Sequence, residues 1–333
     1  MVTENKDIKK INTSKGIFNS ILSYFKENMG ILIFLISISV IMSFASPYFL
    51  TTNNLLNLLI ATSSNIIIAC GMTLVIILAG IDISVGSIIA FSGVITAMMI
   101  AWFHLPLLIA IILGILSGLI IGMFNGFVIS ETTIPPFIVT LGTMNVARGL
   151  AYVSTNGQPI RVMSNSFNFI GSGYVFGIPM PVIYFIVLFV ITLIILNRTK
   201  LGRYIYAIGG NTEAARFSGI NIKRVQFFVY SFSGLMAGIA GVVLASRMYS
   251  GQPTAGNGAE MDAIAAVVLG GTSFMGGQGK LGGTLIGALV MGVINNALNL
   301  LNVNSFWQYI VKGFIIIIAV YFDFIRKRKS ALS

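Results

Sequence analysis

Covalent and metal chemistry need His, Cys and carboxylates gathered in clusters, and this sequence offers few of them. Cys70 and His104 are the only members of their kinds in 333 residues. One cysteine closes no internal disulfide, and two such ligands cannot build a tetrahedral zinc site. A Ser–His or Cys–His hydrolase would have to use His104, which lies in an apolar run beside Pro106 with no acid nearby. It reads as a histidine at a membrane interface. Phosphate chemistry fares no better. Gly277-Gln278-Gly279-Lys280-Leu281-Gly282 fits G-x-G-x-x-G, yet no acid occurs between Asp262 and Asp323 to hold a ribose. A Walker A reading of the same stretch fails at Phe274, where Gly belongs, and at Leu281, where Ser or Thr belongs. The chain carries no ATPase of its own.

What remains is a scatter of single ionisable residues beside or within apolar sequence: Asp82, Glu131, Arg148, Arg247, Glu260, Asp262 and Lys280. A charge at the centre of a membrane helix costs about 2.5–3.5 kcal/mol on insertion scales, so it usually faces protein or water. Most of these residues stand at segment ends, where snorkelling is cheap. Arg148 is the deep one, in a pathway or in an internal ion pair. Lys312, in the last apolar segment, reads as a cation near a membrane edge or facing the interior.

The elements that must hold these residues are membrane helices. Of all residues 56% are hydrophobic and only 9% charged, with a mean hydropathy of +0.94. Residues 28–81, 83–130, 162–197, 225–246 and 281–311 contain no Asp, Glu, Lys or Arg. In lipid each backbone group must be satisfied within its own segment, so such runs form helices. Seven segments are clear: 30–48, 86–103, 105–129, 180–197, 224–247, 281–301 and 306–325. Three are irregular: 55–80, broken by Ser63-Ser64-Asn65; 137–155, with Asn145 and Arg148; and 259–271, too short to span alone. The expectation is an all-α polytopic membrane protein of about ten transmembrane helices with broken or re-entrant segments.

Net charge is +11, and 15 of the 20 Lys and Arg fall in the N-terminal tail, in 198–224 and in Arg326–Lys329. That is the positive-inside pattern of cytoplasmic segments, not a nucleic-acid face. It divides the chain into a cytoplasmic tail (1–29), a membrane domain (30–325) and a basic cytoplasmic tail (326–333). Both termini lie inside, and 156–178 and 248–258 lie outside. The first apolar stretch is longer than a signal-peptide core and reads as a retained span. Glycines 114, 118, 122 and 126, then 234 and 238, and 283 and 287, make smooth faces for helix contact. Ile77–Gly86 and Val268–Ser273 echo one another before two apolar spans, as transporter repeats do.

Within 198–224, Asn211 or Thr212 suits an N-cap, Glu213 the positive helix end and Gly219 the stop. Such a capped helix at the membrane face suits docking to a cytoplasmic partner. The run Gly202–Asn221, with Gly80–Gly86, Gln252–Gly256 and Asp262–Ser273, resembles the membrane permeases of sugar ABC importers, most closely those of the ribose type. The resemblance spans about 30–325. It implies the ABC importer permease fold, a cytoplasmic ABC ATPase that holds ATP and Mg, an extracytoplasmic sugar-binding protein and a second permease subunit, as a homodimer. This chain would bind no cofactor itself and would sit, among membrane lipid, in the cytoplasmic membrane of a prokaryote. The resemblance also implies that Asn211–Gly219, with Glu213, Ala214, Ala215, Arg216 and Ser218, is the helix seated in the ATPase. For the path or gate the candidates are Asp82, Ser84, Asn145, Arg148, Gln252 and Asp262. The two aspartates would cap broken helices, and Asn145 and Gln252 would meet sugar hydroxyls. The rivals are a permease for xylose, galactose or a signalling sugar, and an ion-coupled secondary transporter.

Overall fold

The computed structural model describes residues 29–332; of the tail expected over 1–29, residues 1–28 lie outside the described residues, as does Ser333. Each of the ten apolar segments is helical. The first five helices are α1 (Met29–Ala45), α2 (Thr52–Ile77), α3 (Val85–Ala101), α4 (Leu107–Glu131) and α5 (Pro136–Thr155). After a short α6 (Asn165–Ser172) come α7 (Met180–Arg198), α8 (Lys200–Gly210) and α9 (Thr212–Phe217). The chain closes with α10 (Ile222–Arg247), α11 (Ala259–Leu269), α12 (Leu281–Leu300) and α13 (Ser305–Leu332). Among the described residues, α2, α4, α7, α10 and α12 are long and apolar enough to cross a membrane, and α1, α3 and the apolar part of α13 are shorter. The structure thus supports a helical membrane protein without fixing the crossings at ten.

At the centre runs α2, buried on every side from Ile66 to Ile77. Its 26 residues reach about 39 Å at 1.5 Å each, so it traverses the bundle. Against it pack α10, α12, α7 and α11. The most extensive helix pair is α4 with α10, and glycine is the reason. A Cβ on Gly122 would stand 2.8 Å from the Gly234 Cα, and one on Gly118 would stand 2.7 Å from the Gly238 Cα. The backbones touch, which gains dispersion contact where lipid supplies no hydrophobic drive.

Besides helix α8, three features were not expected. Helix α6 lies in the segment 156–178, capped by Ser164, with Phe167 buried beneath it. Two short β-pairs accompany it: β1 (Ile160–Arg161) with β4 (Ser250–Gly251), and β2 (Tyr174–Val175) with β3 (Ile178–Pro179). The first pair joins the segments 156–178 and 248–258 at one end of the bundle. Finally, α13 does not stop at 325 but continues through Leu332, because no Gly or Pro interrupts the basic tail.

Candidate functional site

Two helices of this bundle begin inside it. After Leu78 the chain turns back through 79–84 and starts α3, whereas after α10 it folds back through 250–258 and starts α11. Gly251 lies against Gly93 and Val94 of α3, and Gly256 against Gly86 and Ile89. The second re-entrant stretch therefore runs antiparallel to α3 and descends to its first turn. There the N-termini of α3 and α11 come together. Helix N-termini carry partial positive charge, and three carboxylates gather around them. Asp82 precedes α3, while Glu260 and Asp262 stand in the first turn of α11. The Glu260 carboxylate rests on Gly86, where any side chain would collide. At 11 residues α11 is about 16 Å long, half a crossing, and it starts on Gly258 at φ +77°, a conformation glycine adopts without strain.

Asp82 is fully buried in a polar cluster that ties four helices together. Its Oδ1 accepts the Ser84 N–H at 3.0 Å and the Ser84 hydroxyl at 2.5 Å. Its Oδ2 accepts the Ser233 hydroxyl of α10 at 2.8 Å. Asn125 of α4 donates to the Ser84 Oγ at 3.0 Å, and Thr140 of α5 donates to the Ile81 carbonyl at 3.3 Å. The carboxylate holds the turn ahead of α3, through an i to i+2 bond, and takes none of the N–H groups of α3 itself.

Among the described residues Arg148 forms no ion pair. Its guanidinium Nη1 donates to the carbonyls of Pro253 at 2.8 Å and Ala255 at 2.7 Å, clamping the second re-entrant stretch onto α5. Glu260 lies within electrostatic reach of it and carries the opposite sign. Gln252 turns the other way, donating to Ser250 Oγ at 3.1 Å. With Pro159, Arg161, Asn165 and Asn168 it lines an open cavity of about 640 Å³ at the end of the bundle where β1 meets β4. Asn145 joins none of these clusters. It stands on the exposed face of α5 and bonds back to its own helix at Leu141. Asp262 pairs instead with Lys312, at 2.9 Å.

At the opposite end lies the segment 198–224. Asn211 is the N-cap of α9, its Oδ1 accepting from Ala214 N–H at 3.0 Å, whereas Thr212 bonds back to Ile208. Gly219, at φ +78°, ends α9, and Ala215 is its buried face. Glu213 and Arg216 pair at 2.9 Å with their side chains 63% and 62% exposed, and Ser218 bonds back to Ala214. Helix α8, absent from the sequence reading, props α9 on the bundle through buried Ile205 and Ile208. The Tyr206 hydroxyl donates to the Gly279 carbonyl at 2.8 Å, and burial pushes its phenol up, which keeps it a donor.

The echo between Ile77–Gly86 and Val268–Ser273 is a shared helix ending. Ala79 and Gly271 both adopt positive φ, at +64° and +83°. Gly80 N–H bonds to Val75 O and Thr272 N–H to Val267 O, the same span back in each. The two ends meet, with Gly277 N–H on the Ile77 carbonyl at 2.8 Å.

Sequence reasoning missed Asn125, Ser233, Glu260, Asn295 and Lys312 as partners. Their signal was present: polar side chains within or at the ends of otherwise apolar helices seek partners inside the protein.

Comparison with known proteins places this geometry. Residues 54–320 match the family model described as the permease component of the branched-chain amino acid transport system. The ribose import permease protein of Bacillus subtilis (strain 168) is 48% identical over 92% of this chain and 94% of its own. The ribose import permease protein of Escherichia coli (strain K12) is 46% identical over 88% of this chain and 92% of its own. The D-allose transport system permease protein of the same strain is 40% identical over 95% and 97%. No solved structure matches. A family model covering most of the helices, and relatives aligned almost end to end, establish that the chain belongs to this family of transport-system permease components.

Proposed function

We propose that this chain is the pore-forming subunit of an ABC importer that moves a monosaccharide, ribose, across the cytoplasmic membrane of a prokaryote. The observation that carries the reading is 46–48% identity to ribose import permeases along nearly the whole chain. The geometry agrees with it. A neutral sugar is held by hydroxyl-matching groups, and Asn165, Asn168 and Gln252 offer such groups in the open cavity at the β1–β4 end.

In this reading α9 sits in the partner ATPase, which supplies the ATP and Mg chemistry, and no catalysis falls to this chain. The end built from β1, β4 and α6 receives the extracytoplasmic sugar-binding protein. A second copy of the chain completes the path. Ten crossings place both termini in the cytoplasm, with the membrane domain over 30–325 flanked by the tails 1–29 and 326–333. Asp82, Ser84, Arg148 and Asp262 hold the gate between the re-entrant stretches, whereas Asn145, exposed on α5, and Gln252, in the open cavity, meet sugar hydroxyls.

The test is reconstitution of the chain with its ATPase and binding protein in proteoliposomes, with labelled ribose outside. Uptake is expected only with ATP and both partners, and unlabelled ribose should compete better than xylose or allose. Glu213→Lys or Arg216→Glu should leave the membrane domain folded, because an exposed ion pair contributes about 0–1 kcal/mol, but should separate ATP hydrolysis from uptake. Accumulation driven by a proton or sodium gradient without ATPase would overturn the importer reading. Coupling unchanged in both variants would overturn the role of α9.

A further inference from the structure

Lys312 is a partly buried cation that the importer reading leaves without a task. It lies on α13, seven residues from its start, with the side chain only 16% exposed. Its Nζ donates to Asp262 Oδ2 at 2.9 Å, and that carboxylate is 8% exposed. The same oxygen accepts the Asn295 amide of α12 at 3.3 Å. One carboxylate oxygen therefore joins α11, α12 and α13. Close packing extends the junction: α11 lies on both α12 and α13, and Tyr309 of α13 reaches Gly258, the N-cap of α11.

We propose that Lys312 is a positioning residue for transport, a latch that fixes the half-helix α11 to α13 so that α11, α12 and α13 move as one body. The argument is one of solvation. Among the described residues Asp262 Oδ1 is buried without a hydrogen-bond partner, and Lys312 on Oδ2 supplies the opposing charge. Removing one member of a buried pair strands the other charge in a low-dielectric interior, while removing both leaves an ordinary neutral contact. Among the described residues no ion pair joins α11 to α3, and the Arg148 clamp ties the stretch before α11 to α5. Between α3 and the stretch leading into α11, glycine backbones meet at Gly86 and Gly256. Sliding there breaks no buried ion pair. The latch directs motion to that seam.

The inference rests on the importer reading for its transport consequence, so the test has two arms. Lys312→Met, Asp262→Asn and the double variant are compared in the reconstituted complex. Each single variant should assemble with its ATPase and hydrolyse ATP within twofold of the parent, yet lose at least tenfold in sugar uptake. The double variant should recover to within threefold of the parent. Unchanged uptake in the single variants, a loss matched by lost assembly, or failure of the double variant to recover would each overturn the latch. The second arm needs no transport. Ala263→Cys, at a buried position just past the first turn of α11, is introduced in a Cys70→Ser chain and its rate of reaction with N-ethylmaleimide is followed. The rate should rise at least fivefold in either single variant and fall back in the double. An unaltered rate refutes the latch directly. A parent complex that moves no sugar while the labelling follows this pattern would refute the importer reading and leave the latch standing.

Discussion

Replacing Asp82 tests how the turn before α3 is held. The carboxylate accepts three hydrogen bonds, from Ser84 N–H, Ser84 Oγ and Ser233 Oγ, and is fully buried. Asp82→Ala strands all three donors. An unsatisfied buried polar group costs about 1–3 kcal/mol, so the loss is about 3–9 kcal/mol before relaxation. The two hydroxyls can rotate toward other acceptors, which brings the realised figure to the lower part of that range. Asp82→Asn keeps one oxygen for the Ser84 donors. Its amide meets Ser233, whose hydroxyl can turn and accept, so the cost is about 1 kcal/mol for exchanging charged for neutral bonds. The assay is uptake by reconstituted complex together with the melting temperature of the purified chain. Asp82→Asn should retain much of the uptake, and Asp82→Ala should lose most of it and melt earlier. Equal and complete loss in both variants, with unchanged melting temperatures, would refute the reasoning. It would point to a carboxylate that takes part in transport itself.

Two other substitutions probe the frame around this turn. Gly122→Val places side-chain carbon where Gly234 backbone already stands, and overpacking of about 1–3 kcal/mol or more should lower the melting temperature of the chain; an unshifted melt would show that α4 and α10 can separate freely. Arg148→Gln should loosen the stretch 250–258, raising proteolysis or thiol labelling at Thr254→Cys in a Cys70→Ser background, whereas Arg148→Lys should restore one of the two carbonyl bonds and part of the protection; labelling equal in all three chains would rule out the clamp.

The helical membrane frame was legible in the sequence because lipid leaves the backbone no alternative. A long uncharged run must satisfy its own hydrogen bonds, and the seven clear segments became helices with ends moved by a few residues. The α9 helix was legible for a similarly local reason. An Asn cap, an acid in the first turn and a glycine stop lie within nine residues, and Asn211 and Gly219 do what their chemistry allows. The glycine faces were also readable, since i and i+4 spacing places them on one side of a helix before any partner is known.

Which partner each polar group takes was decided only by the tertiary structure. Arg148 was legible as a deep charge, but its clamp on Pro253 and Ala255 joins residues more than a hundred positions apart. Asp82 was legible as a residue in a broken segment, yet its bond to Ser233 depends on how α10 packs beside α3. Lys312 read as a cation at a membrane edge or facing the interior, and only the packing of α13 on α11 brings it to Asp262. Asn145 was legible as a polar residue in an apolar helix, and the packing around α5 leaves it exposed, bonded back to Leu141. Local rules act within a few residues of backbone, so one strand of sequence carries them whole. Long-range pairings depend on the rotation and depth of two packed helices, and those are set jointly by every contact between them.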